Sequence, residues 1–334
     1  MRKMSYAGAI VEALRTSLSE DPTFNLVGSY VLGLGPKRVL MDSIRTEFSD
    51  RLYDPPTSEA AIVSIGAGAA MAGARPFVDI GTASFSYVGW SPLVNEAAVA
   101  RYMSGGSLRV PVVYHMLHGL RGGGAGQHSG SPQAMLWNAP GLEIVLPSSP
   151  YDVKGLMRSA IKSDNPTIFI NHARLMDIEG DVPAEDYTVP FGRADIKRAG
   201  RDVTLVATSF VVHAALSAAE RLATDGIEAE VVDPRTLVPL DHKTILDSVR
   251  RTGRLVVIDE APLSCGVASE LSAIVAEEGF EYLRSPVVRV TRPDIPVPFS
   301  KPLEDAITPT ADKVITAVRR VMDPRAKSAA TRLT

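Results

Sequence analysis

The sequence predicts an α/β protein built as two doubly wound α/β domains. Three observations lead there. Short β-branched runs alternate with helical patterns along the chain, as parallel sheets covered by helices on both faces require. The alternation stops once, over Ala173–Arg201, a polar stretch with two prolines, three glycines and no clear periodicity, and then restarts. The chain has 334 residues, enough for two cores at roughly 150 residues per domain.

In order, the strands expected are Asn25–Gly28, Pro76–Ile80, Val110–Met116, Glu143–Leu146 and Thr167–Asn171, then Val203–Ala207, Ala229–Asp233, Arg254–Ile258 and Val287–Val290. The helices expected are Ser5–Ser19, Ser58–Gly73, Leu93–Ser104 and Pro150–Lys162, then Val211–Asp225, His242–Arg251, Gly266–Glu278 and Thr310–Met322. These divide into a first domain over 1–180, a linker over 181–194, a second domain over 195–323 and a frayed tail over 324–334. Helix Ser58–Gly73 is rich in alanine and glycine, so it packs closely on something, either inside the domain or on another subunit.

Composition narrows the function classes. Charged residues make up 22% and the net charge is -3, which argues against nucleic acid or an acidic membrane as the main partner. There is no apolar run of ~18 residues for a membrane span. The start, MRKMSYAGAIVEAL, has no long apolar region and is interrupted by Glu12, so it reads as an amphipathic helix of the mature protein. The one cysteine, Cys265, excludes an internal disulfide and fits a reducing, cytoplasmic setting. Its apolar neighbours, Leu263 to Ala268, suggest core packing rather than nucleophilic chemistry.

General motifs leave the chemistry open. Gly122–Gly126 (GGGAG) is followed by no Lys-Ser or Lys-Thr, and no helix is expected to open directly after it, so it is not a phosphate loop. No zinc spacing and no Gly-x-Ser-x-Gly elbow occur. Two acid–base candidates remain. Glu59 begins a helix after Asp54-Pro55-Pro56-Thr57-Ser58, with Ser58 placed to cap it. It either complements the positive helix end or is an acid whose surroundings set its charge. His128 follows the glycine run; it is either an exposed loop histidine or a catalytic one.

Taken together, several segments resemble one family. They include Pro56-Thr57-Ser58-Glu59-Ala60, Val94-Asn95-Glu96-Ala97-Ala98, Gln127-His128-Ser129, Pro150-Tyr151-Asp152-Val153-Lys154-Gly155, Asp233-Pro234-Arg235-Thr236-Leu237 and Asp259-Glu260-Ala261-Pro262. Their order and spacing resemble β subunits of pyruvate, branched-chain 2-oxoacid and acetoin dehydrogenases, over about residues 4 to 322. The resemblance implies a transketolase-superfamily fold, with a pyrimidine-binding domain and a transketolase C-terminal-like domain. It implies thiamin diphosphate shared with an α subunit in an α2β2 heterotetramer. The α chain would hold the diphosphate and magnesium through Gly-Asp-Gly, a motif absent from this sequence. On the same footing, Thr57, Glu59, Gly81 and Phe85 would receive the aminopyrimidine. Glu59 would bond the ring nitrogen, and His128 would assist proton transfer as the acyl group passes to a lipoyl-bearing transacylase. A potassium ion would be held by the carbonyls of Val112, Ala160, Ile161, Ser163 and Asn165; a plain helix C-terminus at Ala160–Asn165 is the alternative.

Departures from the family cluster near the expected cofactor and substrate channel. Ser29 replaces an acid thought to couple protons between active sites. Gly81 replaces Gln or Met, Ser91-Pro92 replaces Asp-Gln, and Gly130 replaces Gln. The function implied is oxidative decarboxylation of a small 2-oxo acid with transfer to lipoyl. The departures keep open a lipoyl-independent decarboxylase or carboligase. A non-catalytic β-like subunit is the third reading, against which stand Glu59 and His128.

Overall fold

The computed structural model describes residues 1–28 and 36–323; Ser29 and the tail expected over 324–334 lie outside the described residues. In chain order the first strands are β1 (Arg2–Ser5), β2 (Phe24–Val27), β3 (Leu52–Tyr53), β4 (Arg75–Thr82), β5 (Val113–His118), β6 (Glu143–Val145) and β7 (Thr167–His172). They are followed by β8 (Glu179–Val182), β9 (Asp195–Arg198), β10 (Val203–Ala207), β11 (Ala229–Asp233), β12 (Thr236–Val238), β13 (Leu255–Pro262) and β14 (Val288–Arg292). The helices are α1 (Tyr6–Glu20), α2 (Asp42–Glu47), α3 (Glu59–Met71), α4 (Ala98–Met103), α5 (Ala125–His128), α6 (Gln133–Trp137) and α7 (Pro150–Lys162). Then come α8 (Val211–Thr224), α9 (His242–Thr252), α10 (Val267–Glu278), α11 (Lys301–Ile307) and α12 (Ala311–Met322). Among the described residues no helix is long and apolar enough to cross a membrane.

The contacts group the chain into two compact units. The first comprises Met1–Arg121, Gln127–Phe191 and Thr236–Pro239; the second comprises Gly122–Gly126, Gly192–Arg235 and Leu240 onward.

The first unit is organised on a seven-stranded sheet of order β12-β6-β7-β5-β4-β2-β3. All neighbours are parallel except β12 with β6. Its middle strands are apolar runs, as burial on both faces demands: Phe77, Val78, Ile80, Tyr114, Met116, Ile168 and Ile170 are sealed from solvent. Helix α3 lies on β4, and its small residues have a purpose there. A Cβ on Gly66 would stand 2.5 Å from Val78 Cγ2, so only glycine allows this approach. The opposite stripe of α3, with Ala61, Ile65 and Gly68, is exposed in this chain. On α1 the residues Tyr6, Ile10, Ala13 and Leu14 are buried at helical spacing, and α1 packs against α7.

The second unit has a five-stranded sheet of order β14-β13-β10-β11-β9, parallel except for β9. Alternate residues of β10 serve opposite faces. Val203, Leu205 and Ala207 join the core beneath α8 and α12. Thr204 points the other way, where its hydroxyl meets Ser248 at 2.7 Å and Thr252 at 2.8 Å on α9.

Several expectations change in detail. The polar stretch 173–201 holds two strands, β8 and β9. The helix expected over Leu93–Ser104 begins with a π-helical turn, Pro92–Ala97, before α4. A helix does open here, within the glycine run itself: the four-residue α5 starts at Ala125. Ser58 occupies the N-cap of α3 in extended backbone, but its side chain makes no capping bond. Cys265 is exposed, not core. The chain turns through a left-handed φ of 54° at this residue, past the end of β13, which carries it out of the apolar layer its neighbours suggested.

Candidate active site

In open α/β sheets, ligands bind where the strand order reverses, outside the carboxyl ends of the strands. In the first unit β2 is followed by β3 on one side, and α3 then carries the chain back over β2 to β4 on the other side. The reversal therefore falls between β2 and β4. Their ends, Gly28 and Gly81, both take positive φ, 92° and 80°. A Cβ on Gly28 would stand 2.6 Å from the Asp79 carbonyl oxygen, so this close approach of two backbones requires glycine.

The expected site residues follow these strand ends. Glu59 is the first residue of α3, directly after β3, because Pro55 and Pro56 hold the preceding chain extended. The first helical bond runs from Ile62 N–H to Ser58 O at 2.9 Å. Glu59 is half-buried, and its carboxyl group has no hydrogen-bond or ion-pair partner among the described residues. Thr57, two residues before it, is exposed.

Beyond Gly81 the chain enters a 3-10 turn, Ala83–Tyr87, that carries Phe85. Phe85 is half-buried rather than part of the core. The turn ends at Gly89, whose Cβ, if present, would lie 2.9 Å from Val63 Cγ2 and 3.4 Å from the Glu59 carbonyl oxygen. The Phe85 turn thus rests on the first turn of α3. His128, at the end of α5, is exposed; its ring meets Phe85 edge-on with centroids 5.3 Å apart. Its Nδ1 lies 3.4 Å from the Thr82 hydroxyl. A Cβ on Gly130 would stand 2.2 Å from Ser84 Oγ, so a side chain there would force Ser84 to turn away. Glu59, Gly81, Phe85 and His128 are therefore brought into one neighbourhood.

Around them lie polar atoms that the sequence did not single out. Ser84 Oγ, Ser129 Oγ and both amide atoms of Gln133 are buried without a partner among the described residues. Beneath Gly81 lies a second group, Asp79 and His115, buried to 0% and 1% exposure and 3.0 Å apart. A signal for this pair was present: Asp79 interrupts the apolar run PFVDI, and His115 interrupts VVYHML. The orphan serines and Gln133 had no such signal, because local sequence does not show which polar atoms lack partners.

Four of the five carbonyls expected around potassium accept hydrogen bonds within the chain. Ile161 O and Ser163 O accept from the Arg75 guanidinium at 3.1 and 2.8 Å. Val112 O accepts from Thr167 N–H and Ala160 O from Ser163 N–H. Arg75 also bonds Asp164 at 2.7 Å. A positive group therefore already sits on two of the five, and a further cation would face it at close range.

The chemistry available is that of proton donors and acceptors beside an aromatic side chain. An unpartnered carboxyl, an aromatic face and a histidine lie near the ends of β2 and β4, above buried hydroxyls that have no partner among the described residues. Residues 2–177 match the family described as transketolase, pyrimidine binding domain. Residues 192–314 match transketolase, C-terminal domain. The chain is 41% identical to the acetoin:2,6-dichlorophenolindophenol oxidoreductase subunit beta of Cupriavidus necator, over 96% of this chain and 98% of that one. It is 37% identical to the 2-oxoisovalerate dehydrogenase subunit beta of Bacillus subtilis, over 97% and 100%. It is 38% identical to the pyruvate dehydrogenase E1 component subunit beta of Rickettsia felis, over 94% and 96%. In fold it is similar to a solved split-gene transketolase, an inactive beta4 tetramer, with a TM-score of 0.78 at 23% identity over 96% of this chain and 98% of that one.

Proposed function

Because the chain belongs to the transketolase family, in its branch of 2-oxoacid and acetoin dehydrogenase β subunits, we propose that it supplies the pyrimidine half of a thiamin diphosphate site completed by an α subunit. The observation that carries this is the unpartnered Glu59 carboxyl at the strand-reversal crevice, in one neighbourhood with Phe85 and His128. The residues fit an aminopyrimidine. They offer a carboxyl for a ring nitrogen and an aromatic face for the ring plane. The diphosphate and magnesium fall to the α partner, since no Gly-Asp-Gly occurs in this chain.

When bound, thiamin diphosphate would supply a nucleophilic carbon and an electron sink for decarboxylation. The residues of this chain supply the rest. Glu59 would hydrogen-bond a nitrogen of the pyrimidine. Phe85 would pack on the ring. His128, exposed at the end of α5, would assist proton transfer to the acyl acceptor. The expected potassium ion enters no step.

The leading reading is decarboxylation of a 2-oxo acid with acyl transfer to a lipoyl carrier. A second reading, cleavage of a hydroxyketone such as acetoin, is favoured by one observation: the 41% identical relative bears acetoin in its name. The pair formed with the cognate α chain is assayed on pyruvate, 2-oxoisovalerate and acetoin, with a dye and with a lipoyl domain as acceptors. Thiamin-dependent turnover of one substrate is expected, and Glu59→Ala should lower it by about 10³-fold or more. Undiminished turnover in that variant would end the assignment.

A further inference from the structure

Strand β4 does not run in even register with β5. Asp79 pairs with His115, but Thr82 pairs with Leu117, so three steps on β4 answer two on β5. The extra residue is accommodated at Gly81, whose φ is 80°, a β-bulge with glycine in the left-handed position. A bulge takes one N–H out of the ladder. Here that N–H, of Gly81, donates to Asp79 Oδ1 at 3.0 Å. The same oxygen faces His115 Nδ1 at 3.0 Å.

The histidine is oriented in turn. The Tyr6 hydroxyl donates to Asn171 Oδ1, which leaves the Asn171 amide nitrogen facing His115 Nε2 at 2.9 Å. An amide nitrogen only donates, so Nε2 accepts and the imidazole hydrogen is on Nδ1, directed at Asp79. Phe77 stacks on the imidazole with centroids 5.3 Å apart. The result is a single line of donors from α1 through β7 and β5 to the bulge on β4, wholly inside the first unit. Asp79 Oδ2 takes no part; it is buried without a partner among the described residues.

We propose that Asp79 and His115 are positioning residues that hold the Gly81 bulge and so aim Thr82 and Phe85 at the aminopyrimidine. This rests on the reading that Phe85 receives that ring. Neither residue touches the cofactor. Asp79 acts by keeping the Gly81 N–H turned inward, and His115 by holding Asp79 in the rotamer that does so. Only Oδ1 carries the function, so an asparagine, which keeps that oxygen, should serve where an alanine cannot.

The test uses the α–β pair and measures thiamin diphosphate affinity by titration calorimetry in the presence of magnesium, beside the melting temperature of the cofactor-free pair. Asp79→Ala is expected to weaken binding by about tenfold or more, and Asp79→Asn to recover to within about threefold of the parent. Gly81→Ala, which strains the bulge without unpairing a buried group, should weaken binding similarly, and it keeps the test alive should Asp79→Ala fail to fold. In a Phe85→Ala background the Asp79→Ala penalty should shrink below about threefold, since Asp79 acts through that turn. Melting temperatures that fall while affinity stays at the parent value would overturn the proposal and leave a purely structural bond. An undiminished Asp79→Ala penalty in the Phe85→Ala background would also overturn it. A Phe85→Ala variant that binds cofactor as well as the parent would instead refute the reading on which the proposal stands.

Discussion

The two units use one winding twice, and their two buried aspartates show how differently it can be employed. In the second unit β10 is flanked by β11 and β13, as β2 is flanked by β3 and β4 in the first. Asp259 on β13 occupies the place that Asp79 has on β4. Each lies where the register with the next strand breaks, Asp79 before Thr82 and Asp259 between Ile258 and Pro262. Each accepts the N–H two residues on, from Gly81 and from Ala261. Their partners differ. Asp79 has a histidine at 3.0 Å, whereas Asp259 has the Thr208 hydroxyl at 3.4 Å and backbone N–H groups. Burial, offset only in part by bonds from the Ala261 and Glu260 N–H groups and Thr208, pushes the Asp259 carboxyl up to about 6. Beyond Asp79 the chain leads to Phe85 beside His128; beyond Asp259 it passes through Cys265 to Gly266, which closes over Oδ2. The same backbone device stands beneath the candidate site in one unit and at a buried strand end in the other.

The largest effect that would sharpen this contrast is at His128. His128→Ala should slow transfer to the acyl acceptor by about 10²-fold or more while leaving cofactor affinity near the parent value. A rapid-mixing assay with a lipoyl domain reads this, and an unchanged transfer rate would remove the catalytic distinction between the two edges. An intermediate effect belongs to Asp259. Its carboxyl holds a proton more tightly folded than unfolded, so its contribution to stability is full below about pH 4 and is lost as pH rises through about 6. A displacement from 3.8 to about 6 is worth on the order of 3 kcal/mol. Asp259→Asn should therefore remove several degrees of the fall in melting temperature between acid and mildly alkaline buffers. Parallel melting curves of parent and variant would break the comparison. The smallest effect concerns Arg75. Replacing potassium by choline in the buffer should move the melting temperature by less than about 2 °C, because the guanidinium already serves those carbonyls. A larger drop would restore the ion to its expected place.

Most of the regular structure was legible because the period is written in apolar side chains. Helix Pro150–Lys162 and strands Val203–Ala207 and Ala229–Asp233 stand at the expected residues. The ribbon of β1 with β8 was not legible: Arg2–Ser5 and Glu179–Val182 are short, and β8 buries only Val182. Strand β12 is three residues before a proline. Glu59, Phe85 and His128 were marked by resemblance, and their shared neighbourhood follows from strand order. Cys265 was misjudged because neighbouring hydropathy carries no sign of a left-handed turn. Asp79 and His115 were visible as polar interruptions of apolar strands, but their joint action depends on a bulge that residue types alone do not declare.

Strand β12 has a consequence for how such chains can be recombined. It leaves the second stretch of sequence for four residues, Thr236–Pro239, to finish the edge of the first unit's sheet. A crossover in the segment after residue 191 would give a chimaera whose first module borrows its outermost strand from a foreign parent. Cutting there and discarding the rest would bare the backbone of β6, an open edge of the kind that recruits other chains. Inheritance of the two modules is therefore linked: a successful graft must carry residues 236–239 with the first unit or retain their pairing with Ile144 and Val145.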